Sequence, residues 1–464
     1  MAPQHAIVVG SGLAGLAAAS QLLTHNIPVV LLERAARTGG NSIKASSGIN
    51  GAPTPYQPIQ DSREAFYNDS VRSAMTNYGA HRMKLIARLT DNSASAVEWL
   101  VKDKGIELTR VAHLGGHTYP RTHRGVTGIP PGYEIVSTVL RDLKEDPRGL
   151  FDLRTSCTVT SVLQTDQRVT GVEYEKADGE TVTLHGPVIF ASGGFAGAAD
   201  ALAQYQPDLA GYPSTNDPRP ASLPLLTAVG AQLLGMQEVQ VHPTGFVDPV
   251  NPSSPLKFLA PEMLRGEGGI LLRDGHRFVN ELETRDIVTQ AITSTDPTPP
   301  VLAKQWNIQL VLDESTYNAT KSHVDFYLSK GLMKKSTIAD LGPEPLDTIT
   351  GYCSVAARKA PDEFNRKYPR SWTLQDPTPE SVVYVGTVTP VIHYTMGGAL
   401  INENAQILRE DDTPIEGLWG AGEVTGGVHG RNRLGGSSLL ECVVFGRIAG
   451  DQCAEYIKSG SMTP

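Results

Sequence analysis

Nowhere in the 464 residues does an apolar stretch reach the roughly 18–20 positions needed to cross a bilayer, so no membrane-spanning helix is expected. Basic residues form no run. The 40 lysines and arginines face 49 aspartates and glutamates, a net charge of −9, and no basic stripe exists to track phosphates, which argues against nucleic acid as a partner. Cysteine is scarce. Cys157, Cys353, Cys442 and Cys453 stand far apart, with neither a CxxC pair nor a CxxCH haem attachment. They read as buried thiols of a reducing compartment, not as a disulfide or zinc framework. A strand starting at Ala6 leaves no room before it for a leader, and Ser461-Met462-Thr463-Pro464 matches no lipidation or SKL-type address. A cytoplasmic protein is the expectation.

What is present in quantity is glycine, 46 residues, in a chain that is 40% hydrophobic and 19% charged, a globular composition. At about 150 residues per domain the length suits two or three domains. Ala6-Ile7-Val8-Val9 is an apolar run without alternation, as in a buried parallel strand. It leads into Gly10-Ser11-Gly12-Leu13-Ala14-Gly15, a helical stretch to about His25, and a second apolar run, Val29-Val30-Leu31-Leu32, ending at Glu33. Strand, glycine turn, helix, strand and acid make a dinucleotide-binding βαβ unit. The first Gly permits the turn, the second admits the pyrophosphate, and the third lets helix and strand pack. The phosphates then meet the free N–H groups of a helix N-terminus. Glu33 suits the ribose hydroxyls and would repel a 2′-phosphate, which argues against NADP. Glycine-rich turns also arise for structural reasons alone, but here strand, helix and acid stand in register.

Three further glycine-terminated elements point to FAD over NAD: Gly39-Gly40-Asn41-Ser42, Ser192-Gly193-Gly194 and Gly420-Ala421-Gly422-Glu423. Several strand ends converging on one long cofactor suit a flavin dinucleotide, and no second GxGxxG offers a nicotinamide a site. Elsewhere, Asp61 to Lys104 has helical spacing for two or three helices. Thr158–Leu163, Val169–Glu175 and Thr181–Leu184 read as strands separated by turns at Asp166-Gln167 and Asp178-Gly179. Residues from about 236 to 380 are Pro-rich, charged and irregular, and read as an insertion.

Longer strings resemble one family, the soluble fumarate reductases of the succinate dehydrogenase/fumarate reductase flavoprotein superfamily, most like the fungal type. They are Gly39 to Asn50 (GGNSIKASSGIN), His242-Pro243-Thr244-Gly245, Arg277-Phe278-Val279-Asn280-Glu281 with Thr284-Arg285-Asp286, His393-Tyr394-Thr395-Met396-Gly397-Gly398, and Gly422 to Leu440 (GEVTGGVHGRNRLGGSSLL). The resemblance covers nearly the whole chain. It implies an α/β fold, a Rossmann-like FAD-binding domain with an inserted α+β capping domain, divided as 1–235, 236–383 and 384–464. Membrane-bound relatives attach FAD through a histidine in the early segment. Residues 39–51 contain none, and Ile43 stands in that place, so the FAD is expected to be non-covalent.

The resemblance further implies fumarate reduction, with hydride from the flavin to one alkene carbon and a proton to the other. By motif, His242, His393 and Arg433 resemble the substrate carboxylate clamps, Arg285 the proton donor, and Glu262 with Arg265 its relay. A dianion suits several donors, and guanidinium offers a planar fork. An arginine becomes usable as an acid when buried beside other cations. Glu262 and Arg265, three residues apart, would share one helical face. The cofactor contacts fall at Gly10, Gly12, Leu13, Ala14, Gly15, Glu33 and Arg34, at Gly40, Asn41, Ser42, Ser47 and Gly48, at Gly194, and at Gly422, Glu423, Arg433, Gly436, Ser438 and Leu439. No metal is expected. His113 and His117 have i, i+4 spacing, but Gly115-Gly116 between them spoils a helix, and the segment His117 to Arg124 is expected instead to border the flavin pocket.

Plainer readings compete. His242 alone would suit a satisfied core histidine, Arg285 an ion pair with Asp286, and Glu262–Arg265 a surface helix pair. Three positions also depart from the family: Pro220 to Pro224 replaces a TGDG-like turn, Pro261 stands where relatives carry Ala or Thr, and Arg431 replaces a small residue. They motivate an alternative, a diverged member oxidising or reducing another oxygenated small molecule, sugar-derived or a secondary metabolite. A non-catalytic FAD-binding assembly or sensor protein is a third reading. The partners expected of an enzyme are a small-molecule substrate and an external electron donor, free reduced flavin or a separate reductase.

Overall fold

The computed structural model describes residues 5–75, 79–126, 129–298, 303–366 and 371–460. The tail Ser461–Pro464, on which one expectation falls, lies outside the described residues. The first sheet has six strands in the order Gln406–Leu408, Pro414–Gly420, Val188–Phe190, Ala6–Val9, Val29–Leu32, Phe151–Arg154, all parallel except the pairing of the first two. Strands buried on both faces need apolar residues at every position, and Ala6–Val9 and Val29–Leu32 are buried throughout. The helix Leu13–Thr24 packs with Ser437–Lys458 from the other end of the chain, so both termini build one core.

The three strands read from turn signals form an antiparallel meander, Cys157–Thr165, Arg168–Lys176 and Thr181–His185. Asp166 and Gln167 both have positive φ, as a two-residue hairpin of that hand requires. Helices Arg63–Ala74, Gly79–Asp91 and Ser93–Glu98 fill the expected helical region.

Residues 236–380 are more regular than their composition suggests. They supply most of a second, antiparallel sheet ordered Phe258–Leu259, Val239–Phe246, Val382–Thr395, Ile308–Leu312, Ile270–Leu272, with Lys334–Thr337 also pairing to Val382–Thr395. Most of the strands within 236–380 are short and separated by long connections, which hid their periodicity. The strand Val382–Thr395 runs across position 383/384 and stays in this sheet for its whole length, carrying His393 near its end. Two further apolar clusters, one around Phe246, Leu264 and Val288 and one around Ile270, Ile349 and Val383, pack the second sheet against its helices. No helix among the described residues is long and apolar enough to cross a membrane.

Candidate active site

A cavity of about 1530 Å³ runs between the first sheet and the second. It exceeds the 300–1,000 Å³ usual for small-molecule pockets, room for an elongated cofactor and a substrate together. One part is walled by Gly10, Gly12, Leu13, Ala14, Glu33, Arg34, Gly40, Asn41, Ser42, Ser47, Gly48 and Gly194, and the rest by Glu423, Arg433, Gly436, Ser438 and Leu439. These are the expected flavin contacts, with two exceptions. Gly15 does not line the cavity: a Cβ there would sit 2.0 Å from the Gly10 carbonyl oxygen, so its role is to let the helix close on the turn. Gly422 is also off the wall, pressed against Ala14 and Cys442.

The cradle suits a dinucleotide. Gly10 adopts φ +105°, and a Cβ on it would strike the Ala191 carbonyl at 2.4 Å. The turn delivers the chain to the N-terminus of Leu13–Thr24, where Ser42 Oγ accepts from the Leu13 N–H at 3.1 Å. Glu33 accepts from the Ser11 N–H at 3.0 Å and the Ala35 N–H at 2.8 Å, so its carboxylate is fixed at the cavity edge. Arg219, which sequence reasoning overlooked, lies over Gly193 and donates to the Gly194 carbonyl at 3.3 Å. Burial and the Arg219 charge lower the pKa of Arg34, two cations converging on one stretch of wall.

Of the residues expected to meet substrate, Arg285, His393 and Arg433 line the cavity. His242 does not; it is fully buried behind His393, ring centroids 5.5 Å apart and edge-on. Its Nδ1 lies 3.0 Å from the Thr244 carbonyl and 3.2 Å from the Thr244 N–H, while Nε2 is buried without a partner. Burial, then the Arg285, His393 and Arg265 charges, hold His242 well below its ordinary pKa. Burial with Arg285 and Arg433 does the same to His393. Both rings are neutral, able to donate from one nitrogen only. That unpartnered Nε2 is not a satisfied core histidine.

Gln240 joins the cluster. Its Oε1 accepts from Arg285 Nη1 at 2.8 Å and from Arg433 Nη2 at 3.0 Å, while its Nε2 donates to the Asn432 side chain and the Arg433 carbonyl. It precedes His242 by two on a strand, hence on the same face, which is the signal that could have found it. Arg433 lies 4.2 Å from the centroid of the Tyr394 ring, whose hydroxyl donates to buried Glu441. Burial and then the Arg285 cation push Arg433 down to about 10.

Arg285 does not pair with exposed Asp286. Its Nε donates to Glu262 Oε2 at 3.0 Å, and its Nη2 has no acceptor among the described residues. Glu262 and Arg265 are 5% and 1% exposed, so they are no surface pair, and they share the helix Glu262–Glu267. Burial pushes the Glu262 carboxyl up, but Arg285, Arg265 and the Gly115 N–H outweigh it and hold it below the usual range. Arg265, pushed down to about 10 by burial, donates from Nη1 to the Glu281 carbonyl, and its Nε and Nη2 are buried without partners. Neither Glu262 nor Arg265, the pair expected to act as a relay, touches the cavity.

One expectation fails: residues 117–124 do not border the cavity. They form a buried ionic layer behind it, Arg121 gripping Asp61 at 2.8 and 3.1 Å and Asp69 at 2.6 Å. A charged segment so fully paired internally has nothing left to offer a ligand. No metal-ligand cluster occurs among the described residues.

Residues 5–439 match the family described as FAD binding domain, which makes the chain a flavoprotein with FAD as its cofactor. Fumarate reductase 1 of Saccharomyces cerevisiae (strain ATCC 204508 / S288c) is 44% identical over 97% of this chain and 98% of its own. The fumarate reductase of Schizosaccharomyces pombe (strain 972 / ATCC 24843) is 39% identical over 96% and 88%. Among solved structures, the open conformation of a flavocytochrome c3 fumarate reductase superposes with a TM-score of 0.77 at 30% identity, covering 98% of this chain and 78% of that one. The chain belongs to the fumarate reductase family of FAD-binding proteins.

Proposed function

We propose that this protein reduces fumarate, or a closely similar unsaturated dicarboxylate, to its saturated product, using FAD held without a covalent bond. The observation that carries this reading is the convergence of Arg285, Arg433 and His393 on one wall of the flavin cavity, with Gln240 spacing the two arginines. Two guanidiniums and imidazole donors suit a substrate with two carboxylates.

Bound FAD supplies the hydride. Arg433 and His393 hold the carboxylates, and His242, buried behind His393 and off the cavity wall, supports that clamp from behind. Clamping both ends polarises the alkene and stabilises the charge that develops on attack. Arg285 Nη2 gives its proton to the second alkene carbon. The neutral guanidine left behind would be recharged by a proton taken up from solvent and passed by way of Arg265 and Glu262, with Glu262 carrying it only in transit and returning to the carboxylate that accepts from Arg285 Nε. Gly10 to Ala14 and the helix N-terminus at Leu13 hold the cofactor phosphates, Glu33 the ribose, and Arg34 with Arg219 adds positive charge beside them.

Residues 1–235 and 384–464 would form the cofactor half and 236–383 the cap, whose closure excludes water during transfer. The strand through 383/384 makes the border gradual. The absence of histidine in 39–51, with Ile43 on the cavity wall, supports dissociable FAD. Denaturing the protein should therefore release all flavin into the supernatant. Electrons would come from an external donor, free reduced flavin or a separate reductase, in the cytoplasm.

The family departures do not favour another substrate. Pro220 to Pro224 lies beside Arg34, whose Nη1 reaches the Pro220 carbonyl at 3.4 Å, at the cofactor end. Arg431 is exposed. Only Pro261 adjoins the substrate cluster. Titrating the oxidised holoprotein with fumarate, succinate and malonate tests the reading: saturable perturbation of the flavin spectrum is expected, and indifference to all three dicarboxylates would sink it.

A further inference from the structure

We infer that the turn His113–His117, from the cofactor half of the chain, positions the proton relay: the Gly115 N–H fixes Glu262 in line with Arg285. The inference rests on the fumarate reductase reading and deepens it. Gly115 N donates to Glu262 Oε1 at 2.7 Å while Arg285 Nε donates to Oε2 at 3.0 Å. Each carboxylate oxygen thus has its own donor, on opposite sides, and the group is held from rotating away from Arg285. The turn itself is closed by His113 Nε2, 2.7 Å from the His117 carbonyl. His117 Nε2 lies 3.0 Å from the Gly435 carbonyl and its Nδ1 lies 3.1 Å from Arg121, the arginine anchored on Asp61 and Asp69. Gly435 stands two residues past Arg433. One five-residue turn therefore grips the relay carboxylate on the cap side and the loop that carries the substrate arginine on the other.

Close approach is what the glycine permits. A Cβ on Gly115 would sit 3.0 Å from Glu262 Oε1, 3.1 Å from the Leu282 carbonyl and 3.2 Å from the Glu283 carbonyl, the segment that leads directly into Arg285. The charged or titratable groups facing Glu262 are Arg285 on its own helix, Arg265 on the helix of Glu262, and His117 on the turn. Burial and Arg121 push His117 down to about 4, so it stays neutral and the two arginines supply the positive charge. Gly115 is a positioning residue, acting through Glu262 and touching no substrate.

The test compares wild type, Gly115→Ala and His113→Ala as FAD-loaded protein, measuring kcat, KM for fumarate and the pH profile of kcat. Both variants are expected to keep their FAD and a KM within about threefold, to lose about tenfold in kcat as one charge-assisted bond is weakened, and to move the acidic limb of kcat to higher pH. A merely structural turn would change FAD content or KM and leave that limb in place. His113→Ala loosens the turn without adding atoms at Glu262, so it decides the matter if Gly115→Ala does not fold. Wild-type kcat and pH profile in a folded variant would overturn the role of the turn. A wild-type protein that ignores fumarate would instead overturn the reading beneath it.

Discussion

Arg285 and Arg433 share one acceptor, the side-chain oxygen of Gln240, at 2.8 and 3.0 Å. Two like charges are held a fixed distance apart by a neutral amide whose own N–H groups are tied to Asn432 and the Arg433 carbonyl. A carboxylate there would neutralise them, and a methyl would leave them unspaced. Gln240→Ala should therefore raise KM for fumarate by about 10–100-fold, since bonds to charged groups are worth about 1.5–3 kcal/mol each. Steady-state kinetics on FAD-saturated protein checks this, and an unchanged KM would contradict it.

Arg285→Lys keeps the charge and loses the fork that reaches Glu262 and Gln240 together. If Arg285 is the proton donor, turnover should fall by about 10²–10⁴-fold, the range of general acid catalysis, with FAD content and dicarboxylate binding retained. Unchanged turnover would remove Arg285 from the proton-donor role.

Arg219→Ala should weaken FAD binding about tenfold at low salt and less at high salt, because the guanidinium lies over Gly193 on a partly exposed wall where ions screen it. Quenching of flavin fluorescence on titration into apoprotein reads this without any turnover.

Acid should destabilise the fold in a definite window. His117, His123 and His323 are pushed down to about 4 by burial, against an ordinary 6.5. The unfolded chain therefore takes up protons below about pH 6.5 that the folded chain refuses until about 4, so stability is full above that window and falls as pH drops through it. Glu262 and Glu281, held below the usual carboxylate range, push in the same direction. Melting temperatures measured from pH 7 to 4 should fall monotonically, and a flat profile would contradict the neutral, buried imidazoles.

At high pH the substrate clamp should fail. Arg433, pushed down to about 10, loses its charge as pH rises through that value, so KM for a dianion is expected to climb there while FAD stays bound. A KM independent of pH between 8 and 11 would remove Arg433 from the clamp.

Features read correctly from sequence were local ones. The glycine turn, the strand before it and Glu33 lie within one βαβ unit, and the hairpin at Asp166-Gln167 announces itself by its turn residues. Contacts made by generic groups across long separations left no trace. Gln240 meets Arg285 and Arg433 at 45 and 193 positions away, and Gly115 meets Glu262 through a backbone N–H that every residue but proline possesses. The segment His117 to Arg124, expected to border the flavin pocket, lies behind it, and Arg121 is consumed there by Asp61 and Asp69.

The most direct measurement is a single anaerobic turnover. The holoprotein is reduced, mixed with fumarate, and followed by the return of the oxidised flavin absorbance together with product analysis. Rapid reoxidation with one succinate per flavin is predicted. Reduced flavin that persists in the presence of fumarate, in a protein that holds its FAD, would contradict the central claim.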